Sequence, residues 1–563
     1  MTSGFARGQV APPASPGQLY NVRAFGATGD GKTLDTDAIN RAVEAAAAAG
    51  GGTVEIPAGH YLSFSIRLKS HVALHLDQGC VIFAAKEAPG FGAYDAAEPN
   101  EWGDKYQYQN FGHSHFHNSL IWGDGLEDVS ITGPGLINGT ALPRSNGEGE
   151  RPPGGKGAPG GDFAGLPPLP PAPPPASAGV SARGRGGNKT VALVNCRNVI
   201  LRDFSVLQAG WFALLATGVD NLTVDNVKVD TNRDGFNFDS CRNVRVSNCT
   251  VNAINDDGIC LKSSYALGTP RACENITITG CQVSGYDPGS FFDGTYRTTQ
   301  ERAIDRDGPT GRIKFGTESN GGFRNITISN CIFDRSRGLA LETVDGGVIE
   351  DVTIDNIAMR NICNSAIFIR LGTRGRGPAG IPVGAIRRVS ISHVVASDCD
   401  ARYPILIAGT PGHRIEDVRV SDIRIVYRGG LSLEDAARQP ASLANRFFVR
   451  GNGMDGARDP YKPPEQEKAY PEPAMFGLLP AYGIYARHAA NLAFRDVALA
   501  FVKDDTRPAI VLDDVAGATL DHVTASRAGG APFVVLRKVS DFSVADSPGV
   551  PDSKRPSVEQ ESL

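Results

Sequence analysis

The sequence predicts an all-β protein built as a parallel β-helix, and three observations lead to this prediction. A nine-residue phrase, (Asn/Asp)-apolar-x-apolar-x-x-(apolar/Cys)-x-apolar, recurs along the chain, and its tightest spacings are 22 and 23 residues. The apolar residues of the phrase alternate, as they do in short strands. A coil of about 22 residues cannot bury its own apolar face, so successive coils must stack at roughly 4.8 Å. The strands follow one another without helices and without a Trp-Asp signature, which excludes a leucine-rich horseshoe and a propeller.

The copies of the phrase cover most of the chain. They begin at Asp128, Asn198, Asn221, Asn243, Asn275, Asn325, Asp351, Arg388, Asp417 and Asn491. Three of the ten cysteines (Cys249, Cys281 and Cys331) share one position of the phrase, where a small buried hydrophobe fits a solenoid interior. No Cys-x-x-Cys pair indicates a zinc site.

Residues 19–85 are predicted to form an entry module. Thr36 is the expected N-cap of a helix that runs to Ala49 and is stopped by three glycines. One apolar face of this helix suits it to plug the open end of the solenoid. The expected strands of the module are Tyr20–Phe25, Thr53–Ile56, Tyr61–Ile66, Val72–Leu76 and Cys80–Phe83.

The whole of 19–545 is expected to be one β-helix domain, flanked by flexible segments at 1–18 and 546–563. Within it, residues 141–188 are rich in Gly and Pro and predict a mobile loop. Residues 428–482 form a long insertion that contains aromatic residues. We expect this insertion, called the excursion below, to be ordered and to wall one side of a cleft.

Composition limits the possible partners of the 563-residue chain. A net charge of -5 argues against nucleic-acid binding, and no run of 18 apolar residues predicts a membrane span. Residues 1–18 lack the apolar stretch of a secretion signal, so we expect a periplasmic or secreted protein only if a leader was removed. We expect a monomer.

The candidate catalytic residues lie in a repeated Asn-x-Asp-Gly motif. Asp234-Gly235 and Asp257-Gly258 are 23 residues apart, and Asp256 precedes the second copy. Stacked coils would bring the three carboxylates together, where mutual repulsion should raise one pKa. Such asymmetry suits hydrolysis of a glycosidic bond, in which one carboxyl donates a proton and another activates water. In an inverting enzyme these two groups stand about 6.5–9.5 Å apart.

Residues 20–425 resemble glycoside hydrolase family 28, the polygalacturonase and rhamnogalacturonan hydrolase family. The resemblance rests on the entry module with its helix, on the Asn-x-Asp-Gly motif that begins at Asn232, and on the Asp-Asp pair. It implies a right-handed, pectin-lyase-like β-helix that inverts the anomeric centre without a cofactor or a metal. Carried over by position, Asp256 would be the general acid, while Asp234 and Asp257 would hold and deprotonate the water.

Two family motifs are replaced in this chain. Thr310 stands where the family has the histidine of Gly-His-Gly, and Ala340 and Glu342 stand where it has the cations of Arg-Ile-Lys. A galacturonate carboxylate would be poorly held there, so the sequence favours a neutral sugar such as rhamnose and a rhamnogalacturonan-type substrate. The candidate substrate-binding residues are Asn232, Lys262, Thr310, Arg312, Lys314, Glu318, Glu342 and Arg370.

Several of these candidates have a structural alternative. Arg312, Lys314, Arg337 and Arg370 are expected to be available for an acidic sugar on the other side of the cleft, or to be solvated charges of the solenoid. Lys262, Glu342 and Arg370 share one repeat register and could form a ladder of ion pairs.

Three alternating histidines, His113, His115 and His117, would share one face of a strand. We interpret them as a polar cleft wall or plain surface rather than a metal site.

Two other functions fit the same fold. A polysaccharide lyase would hold calcium with the carboxylates and use Arg312 or Lys314 as its base. A non-catalytic carbohydrate-binding solenoid would account for the replaced motifs.

Overall fold

The computed structural model describes residues 18–98, 113, 115–143, 187–303, 307–443 and 458–563. Residues 1–17 of the N-terminal segment and 144–186 of the predicted Gly/Pro-rich loop lie outside the described residues. Among the helices that the structure describes, none is long and apolar enough to cross a membrane.

Short strands dominate the described chain. In order, strands β1 to β20 are Leu19–Asn21, Asp30–Leu34, Gly52–Ile56, Gly59–Ser63, Ile66–Arg67, Val72–Leu76, Cys80–Ala84, Ile121–Asp124, Glu127–Thr132, Leu136–Asn138, Val191–Val194, Arg197–Arg202, Ser205–Leu207, Leu214–Thr217, Asp220–Asp225, Lys228–Thr231, Phe236–Asp239, Arg242–Ser247, Thr250–Ala253 and Ile259–Ser263. Strands β21 to β35 are Cys273–Thr279, Gln282–Ser284, Ile313–Ser319, Phe323–Ser336, Leu339–Thr343, Val348–Ile362, Ile367–Leu371, Ala385–Cys399, Ile405–Ala408, Ile415–Gly429, Ile484–Lys503, Ile510–Asp521, Thr524–Ala525, Val534–Ala545 and Ser553–Ser562. The α-helices are α1, Thr36–Ala48, and α2, Leu433–Arg438; 3₁₀ helices span Val22–Phe25, Ala441–Leu443 and Pro473–Phe476.

The strands of successive coils pair in parallel, as the repeated phrase predicts, and the pairings form three faces. The first face contains β8, β11, β14, β17, β20, β23, β25, β27, β29 and β31. The second face runs from β6 through β9, β12, β15, β18 and β21, and the third from β7 through β10, β13, β16, β19 and β22. In β24, β26, β28 and β30 a single long strand supplies both the second and the third face. The predicted parallel β-helix is therefore confirmed.

The register explains the repeated phrase. The first residue of each of its ten copies has a positive φ, between 52° and 58°. Asparagine and aspartate tolerate this left-handed conformation better than most residues, which is why they recur there. The asparagine amides also stack between coils, since Asn221 donates to Asn198 (3.1 Å) and Asn325 to Asn275 (2.7 Å). The apolar residues that follow stack inside the solenoid.

The entry module differs from the prediction in detail. The strand expected over Tyr20–Phe25 ends at Asn21, because the Asn21 side chain accepts a hydrogen bond from the Arg23 N–H (2.9 Å) and begins a 3₁₀ helix. The N-cap of α1 is Asp35 rather than Thr36, whose hydroxyl oxygen instead accepts a hydrogen bond from the Phe64 N–H (2.8 Å). The buried face of α1 contains Ala38, Ile39, Ala42, Val43 and Ala46.

The C-terminal residues form a strand where a flexible tail was predicted. β35 pairs antiparallel with β34, and its register brings Val558 opposite Val539. β34 would otherwise present unpaired N–H and C=O groups at the end of the solenoid, so β35 covers an exposed edge. The prediction for 546–563 is therefore wrong, because the polar composition of the segment does not reveal this backbone pairing.

One substitution tests the stacked core. Ile328 is fully buried in a column with Ile278 and Ile354, its partners on the adjacent coils. We expect Ile328→Ala to lower the free energy of unfolding by about 2–5 kcal/mol, because a cavity remains between two coils. The neighbouring Thr327→Ala, on the exposed side of the same strand, should change it by less than about 0.5 kcal/mol. Urea denaturation followed by circular dichroism measures both, and equal effects would contradict the stacking.

Candidate active site

The repeated Asp-Gly motif brings its two aspartates to equivalent positions on adjacent coils. Phe236 pairs with Ile259 in the first face, and the Gly235 N–H donates to the carbonyl of Asp257 (3.0 Å). A Cβ atom on Gly235 would lie 2.4 Å from the carbonyl oxygen of Gly258, so only glycine fits there. The expected adjacency of Asp234 and Asp257 is thus present in the register.

The three candidate catalytic carboxylates converge. One oxygen from each of Asp234, Asp256 and Asp257 lies within 4.8 Å of the others. These nearest oxygens are closer together than the 6.5–9.5 Å spacing expected of an inverting pair. The crowding is possible because basic side chains contact every member of the cluster: Arg233, Lys262, Arg312 and Lys314.

The pKa values of the two buried aspartates, Asp234 and Asp257, are shifted in opposite directions. Asp234 is 2% exposed, and burial, followed by the charge of Asp256, raises its pKa well above the usual value. Its Oδ2 accepts a hydrogen bond from Asn237 (3.0 Å). Burial would also raise the pKa of Asp257, but Lys314 and Arg312 outweigh that effect and lower it. The Arg312 Nε lies 2.6 Å from Asp257 Oδ1. The protonated form is therefore favoured for Asp234, and the ionised form is favoured for Asp257.

Asp256 is the member of the cluster that solvent and ligands reach. Its side chain is 30% exposed, against 3% for that of Asp234 and 5% for that of Asp257. One oxygen accepts from Arg233 (2.9 Å) and the other from the N–H of Asp257 (3.1 Å). Arg233 in turn lies 4.0 Å over the ring of Trp211. The Asp256 carboxylate is thus both accessible and held in position.

Lys262 and Glu318 lie beside the cluster, where the sequence placed them. The Lys262 Nζ is 3.7 Å from Asp234, 3.6 Å from Glu318 and 3.1 Å from the Nε2 of His113. An ammonium group only donates, so Nε2 of His113 accepts and its Nδ1 carries the proton that is donated to Asp239 (3.2 Å). Burial, followed by the charge of Lys262, lowers the pKa of His113. His113 is consequently neutral and orients Lys262.

The three alternating histidines do not share the face of a strand, so that expectation is wrong. His113 has helical backbone, and His115 and His117 lie outside strands. His113 contacts the site through Lys262, the carbonyl of His115 accepts from Lys189, and His117 pairs with Glu98 (3.3 Å). The alternation carries no meaning here because this segment belongs to an insertion rather than to a coil.

Lys314 connects the aspartate cluster to the excursion. Its Nζ is 3.5 Å from Asp257, 3.5 Å from Glu342 and 3.2 Å from the hydroxyl of Tyr470. Glu342 is fully buried, and neither of its oxygens accepts a hydrogen bond from the described residues. Burial raises the pKa of Glu342 to about 7.

The arginines expected to be available for an acidic sugar are occupied by the chain itself. The Arg312 Nη2 lies 2.8 Å from Glu472, and the Arg337 Nη1 lies 3.4 Å from the same oxygen. Arg370 donates to the carbonyls of Gly409 (2.7 Å) and Glu465 (3.1 Å). These side chains are buried because the excursion covers them. The prediction that they are available for an acidic sugar is therefore wrong, and so is the alternative that they are solvated charges of the solenoid.

Three further expectations change. Glu342 and Arg370 pair in register, but the ladder with Lys262 does not form, because Glu342 faces Lys314 and Arg370 turns to backbone carbonyls. Thr310 is buried, and its backbone bonds to Ile254 and Arg337. The side-chain oxygen of Asn232 accepts from the amide of Asn255, so Asn232 belongs to a turn ladder.

The sequence did not reveal Arg233, Tyr470 and Glu472 as parts of the site. Arg233 occupies the variable position of the first motif, next to Asp234. Tyr470 was visible only as one aromatic residue of the excursion. Nothing marked Glu472, whose bond to Arg312 joins residues 160 positions apart.

Comparisons with known proteins agree with this fold. A family model described as rhamnogalacturonase A/epimerase, pectate lyase-like, matches residues 19–111, and a right-handed β-helix model matches residues 185–299. The chain is 24% identical to a probable polygalacturonase of Vitis vinifera over 60% of this chain and 60% of the relative. It is 23% identical to an exo-poly-alpha-D-galacturonosidase of Dickeya chrysanthemi over 69% of this chain and 64% of the relative. The chain thus spans less than two thirds of the length of these curated relatives.

Solved structures show the same architecture. A family 28 exopolygalacturonase of Yersinia enterocolitica is 18% identical, with a TM-score of 0.58 over 90% of this chain and 79% of that one. An exopolygalacturonase of Thermotoga maritima is 21% identical, with a TM-score of 0.54 over 74% of this chain and 89% of that one. A short stretch of 42 residues, 8% of this chain and 5% of the relative, is 67% identical to alginate lyase 7 of Azotobacter vinelandii.

The fold and these similarities define the class: a right-handed parallel β-helix of the pectate-lyase-like type. Within that class the chain is similar to polygalacturonases, at 23–24% identity over 60–69% of its length.

The first prediction from this site concerns its buried ion pairs. Arg312→Met should lower the free energy of unfolding by about 3–5 kcal/mol, because it leaves the carboxylates of Asp257 and Glu472 buried without this partner. The matched control is Arg388→Met, which breaks a pair with Asp351 of the same 2.6 Å length on the exposed second face. That change should shift the urea midpoint little, since water screens the pair. Equal losses for the two variants would show that Arg312 is not a buried partner.

The second prediction concerns the pH dependence of stability. The pKa of Glu342 is raised to about 7 by burial, so the folded chain keeps a proton that the unfolded chain loses near pH 4.3. This contribution is complete below about pH 4 and is lost as the pH rises through about 7. At roughly 1.4 kcal/mol per pKa unit, Glu342→Gln should equal the wild type at pH 4 and exceed it by about 3–4 kcal/mol at pH 8.

Glu318→Gln is the matched control. Burial would raise the pKa of Glu318, but Lys262 and Arg376 lower it well below the usual value, so its contribution is present at neutral pH and lost on acidification. This variant should therefore be less stable than the wild type at pH 7. Chemical denaturation at a series of pH values measures both variants, and a parallel pH dependence for the two would refute the assignment.

Proposed function

We propose that the protein is a glycoside hydrolase that cleaves glycosidic bonds in a pectic or related acidic plant polysaccharide. The observation that carries the proposal is the convergence of Asp234, Asp256 and Asp257 at one end of the first face, with one oxygen of each within 4.8 Å of the others. Acid–base hydrolysis needs one protonated and one ionised group at the same bond. The opposite pKa shifts of Asp234 and Asp257 support such a division.

In the proposed reaction, Asp256 protonates the leaving glycosidic oxygen as that C–O bond breaks. Water forms the new C–O bond and gives its proton to Asp257, with Asp234 holding it. The exposure of Asp256 supports its role, because a general acid must come within hydrogen-bond distance of the leaving oxygen. One oxygen of Asp234 and one of Asp256 lie within 4.8 Å of each other, so the proton carried by Asp234 in the free site is within reach of Asp256.

A rhamnogalacturonan-type substrate is part of the proposal. Ala340 pairs with Lys314 on the adjacent coil, and Glu342 follows it on the same face, so neither position offers a cation for a uronate carboxylate. A neutral sugar avoids burying an unpaired charge there. The match of residues 19–111 to a rhamnogalacturonase A/epimerase model supports the same substrate class. The monomeric state also belongs to this proposal, as does a periplasmic or secreted location if a leader was removed.

The lyase alternative shares the acidic cluster, which has the composition of a metal site. Calcium at these carboxylates would compete with basic groups that already lie close to them: Arg312 at 2.6 Å, Lys314 at 3.5 Å and Lys262 at 3.7 Å. Three positive charges around the cluster therefore favour hydrolysis over calcium-assisted elimination.

The test is a screen of rhamnogalacturonan and polygalacturonate oligosaccharides with products identified by mass. A hydrolase adds one water per cleaved bond, and Asp256→Asn should lower the rate about 100- to 10,000-fold through loss of the acid. Arg388→Met, on the second face, is the control and should leave the rate unchanged.

Three outcomes would contradict the proposal. Unsaturated products that absorb in the ultraviolet and disappear with a chelator would identify a lyase. Binding of several fragments without cleavage would identify a binding module. Full activity in Asp256→Asn would remove the acid assignment.

A further inference from the structure

A carboxylate of the chain's own excursion lies between two buried arginines beside the catalytic cluster. Arg312 and Arg337, called the arginine pair here, are each 3% exposed, and both lie close to Oε1 of Glu472, at 2.8 Å and 3.4 Å. Glu472 is itself 3% exposed, and its second oxygen makes no hydrogen bond with the described residues. Two guanidinium groups that face one carboxylate are the arrangement that binds a uronate.

The arginine pair is adjacent to the reacting groups. Arg312 bonds Asp257 through Nε (2.6 Å) and Glu472 through Nη2 (2.8 Å), so a single side chain bridges the catalytic anion and the excursion. The backbone N–H of Arg337 donates to the carbonyl of Thr310 (2.8 Å), in the turn that replaces the family's histidine motif. Glu472 thus stands on the side of the cleft where the replaced motifs lie.

The excursion presents Glu472 on a packed support. Residues 473–476 form a 3₁₀ helix directly after it, and all four are buried. Met475, Phe476 and Leu479 form an apolar cluster with the outward-facing Phe368, Leu406 and Tyr485 of the first face. These contacts fix the backbone next to Glu472. Holding its carboxylate between the two arginines therefore costs little additional conformational entropy.

We infer that Glu472 determines substrate specificity by filling the arginine pair, which bars a uronate carboxylate from this position and admits a neutral sugar. This inference rests on the proposed function and gives its preference for a neutral sugar a physical cause. A second carboxylate could not share the two guanidinium groups without a buried like-charge contact, whereas a sugar hydroxymethyl carries no charge to be repelled.

The experiment compares two ligands that differ only in this group, D-galacturonate and D-galactose, by isothermal titration calorimetry. We expect Glu472→Ala to bind galacturonate at least tenfold more tightly than the wild type, with galactose affinity changed less than twofold. Glu472→Gln retains the volume but not the charge and should gain severalfold for galacturonate. The double variant E472A/R337M should lose the gain, because it removes half of the arginine pair.

Unchanged galacturonate affinity in both single variants, with cooperative thermal unfolding preserved, would overturn the inference and leave Glu472 a structural residue. Glu472→Gln guards against a failure of Glu472→Ala to fold, since it fills the same space. A gain that persists in E472A/R337M would also overturn it. Binding is measured without turnover, so a wild type that cleaves no oligosaccharide refutes the proposed hydrolysis separately from this result.

Discussion

The hydrogen-bonded register between successive coils is the constraint on which the rest of the structure depends. Phe236 pairs with Ile259, and Ile259 with Ile313, so residues that are 23 and 54 positions apart in the sequence become neighbours on one face. A slip of one residue would exchange the inward and outward side chains of a strand. The same ladder therefore builds the apolar interior and brings the aspartates together, and neither can be changed without the other.

The outward side of the first face then has to accommodate buried charge. Arg312 lowers the pKa of Asp257, which favours its ionised form, and the same guanidinium also contacts Glu472. Asp234 and Glu342 follow the other route, since burial raises the pKa of each and favours the neutral form. Both routes avoid an unpaired buried charge, whose cost would be several kcal/mol. The site is thus a set of carboxyl groups sorted by environment into anions and acids, which is what acid–base chemistry requires.

The sequence predicts what is local or periodic and misses what depends on insertions. The Asn or Asp that begins most copies of the repeated phrase indicates a backbone with positive φ, and the alternating apolar residues indicate the side chains of the interior. The fold could therefore be predicted from the sequence. The convergence of the aspartates could be predicted because Asp234 and Asp257 occupy equivalent positions on adjacent coils. Register does not fix the partners of long side chains: Arg370 pairs with Glu342 in the ladder, yet its guanidinium reaches the carbonyls of the excursion. His113 itself lies outside the repeat, so the pattern of the coils does not predict its contacts with Asp239 and Lys262.

Lys314 shows why the two halves of the site cannot be considered separately. Its ammonium group lies at 3.5 Å from both Asp257 and Glu342, and it favours the ionised form of each. While Glu342 is neutral, the charge of Lys314 acts mainly on Asp257, and it helps to hold that carboxylate as the anion. When Glu342 ionises, the two carboxylates compete for one cation. The excursion enters the same balance through Tyr470, whose hydroxyl lies 3.2 Å from Lys314. The repeated coils thus supply the aspartate cluster, and an irregular segment far along the chain contributes to the electrostatic environment of that cluster.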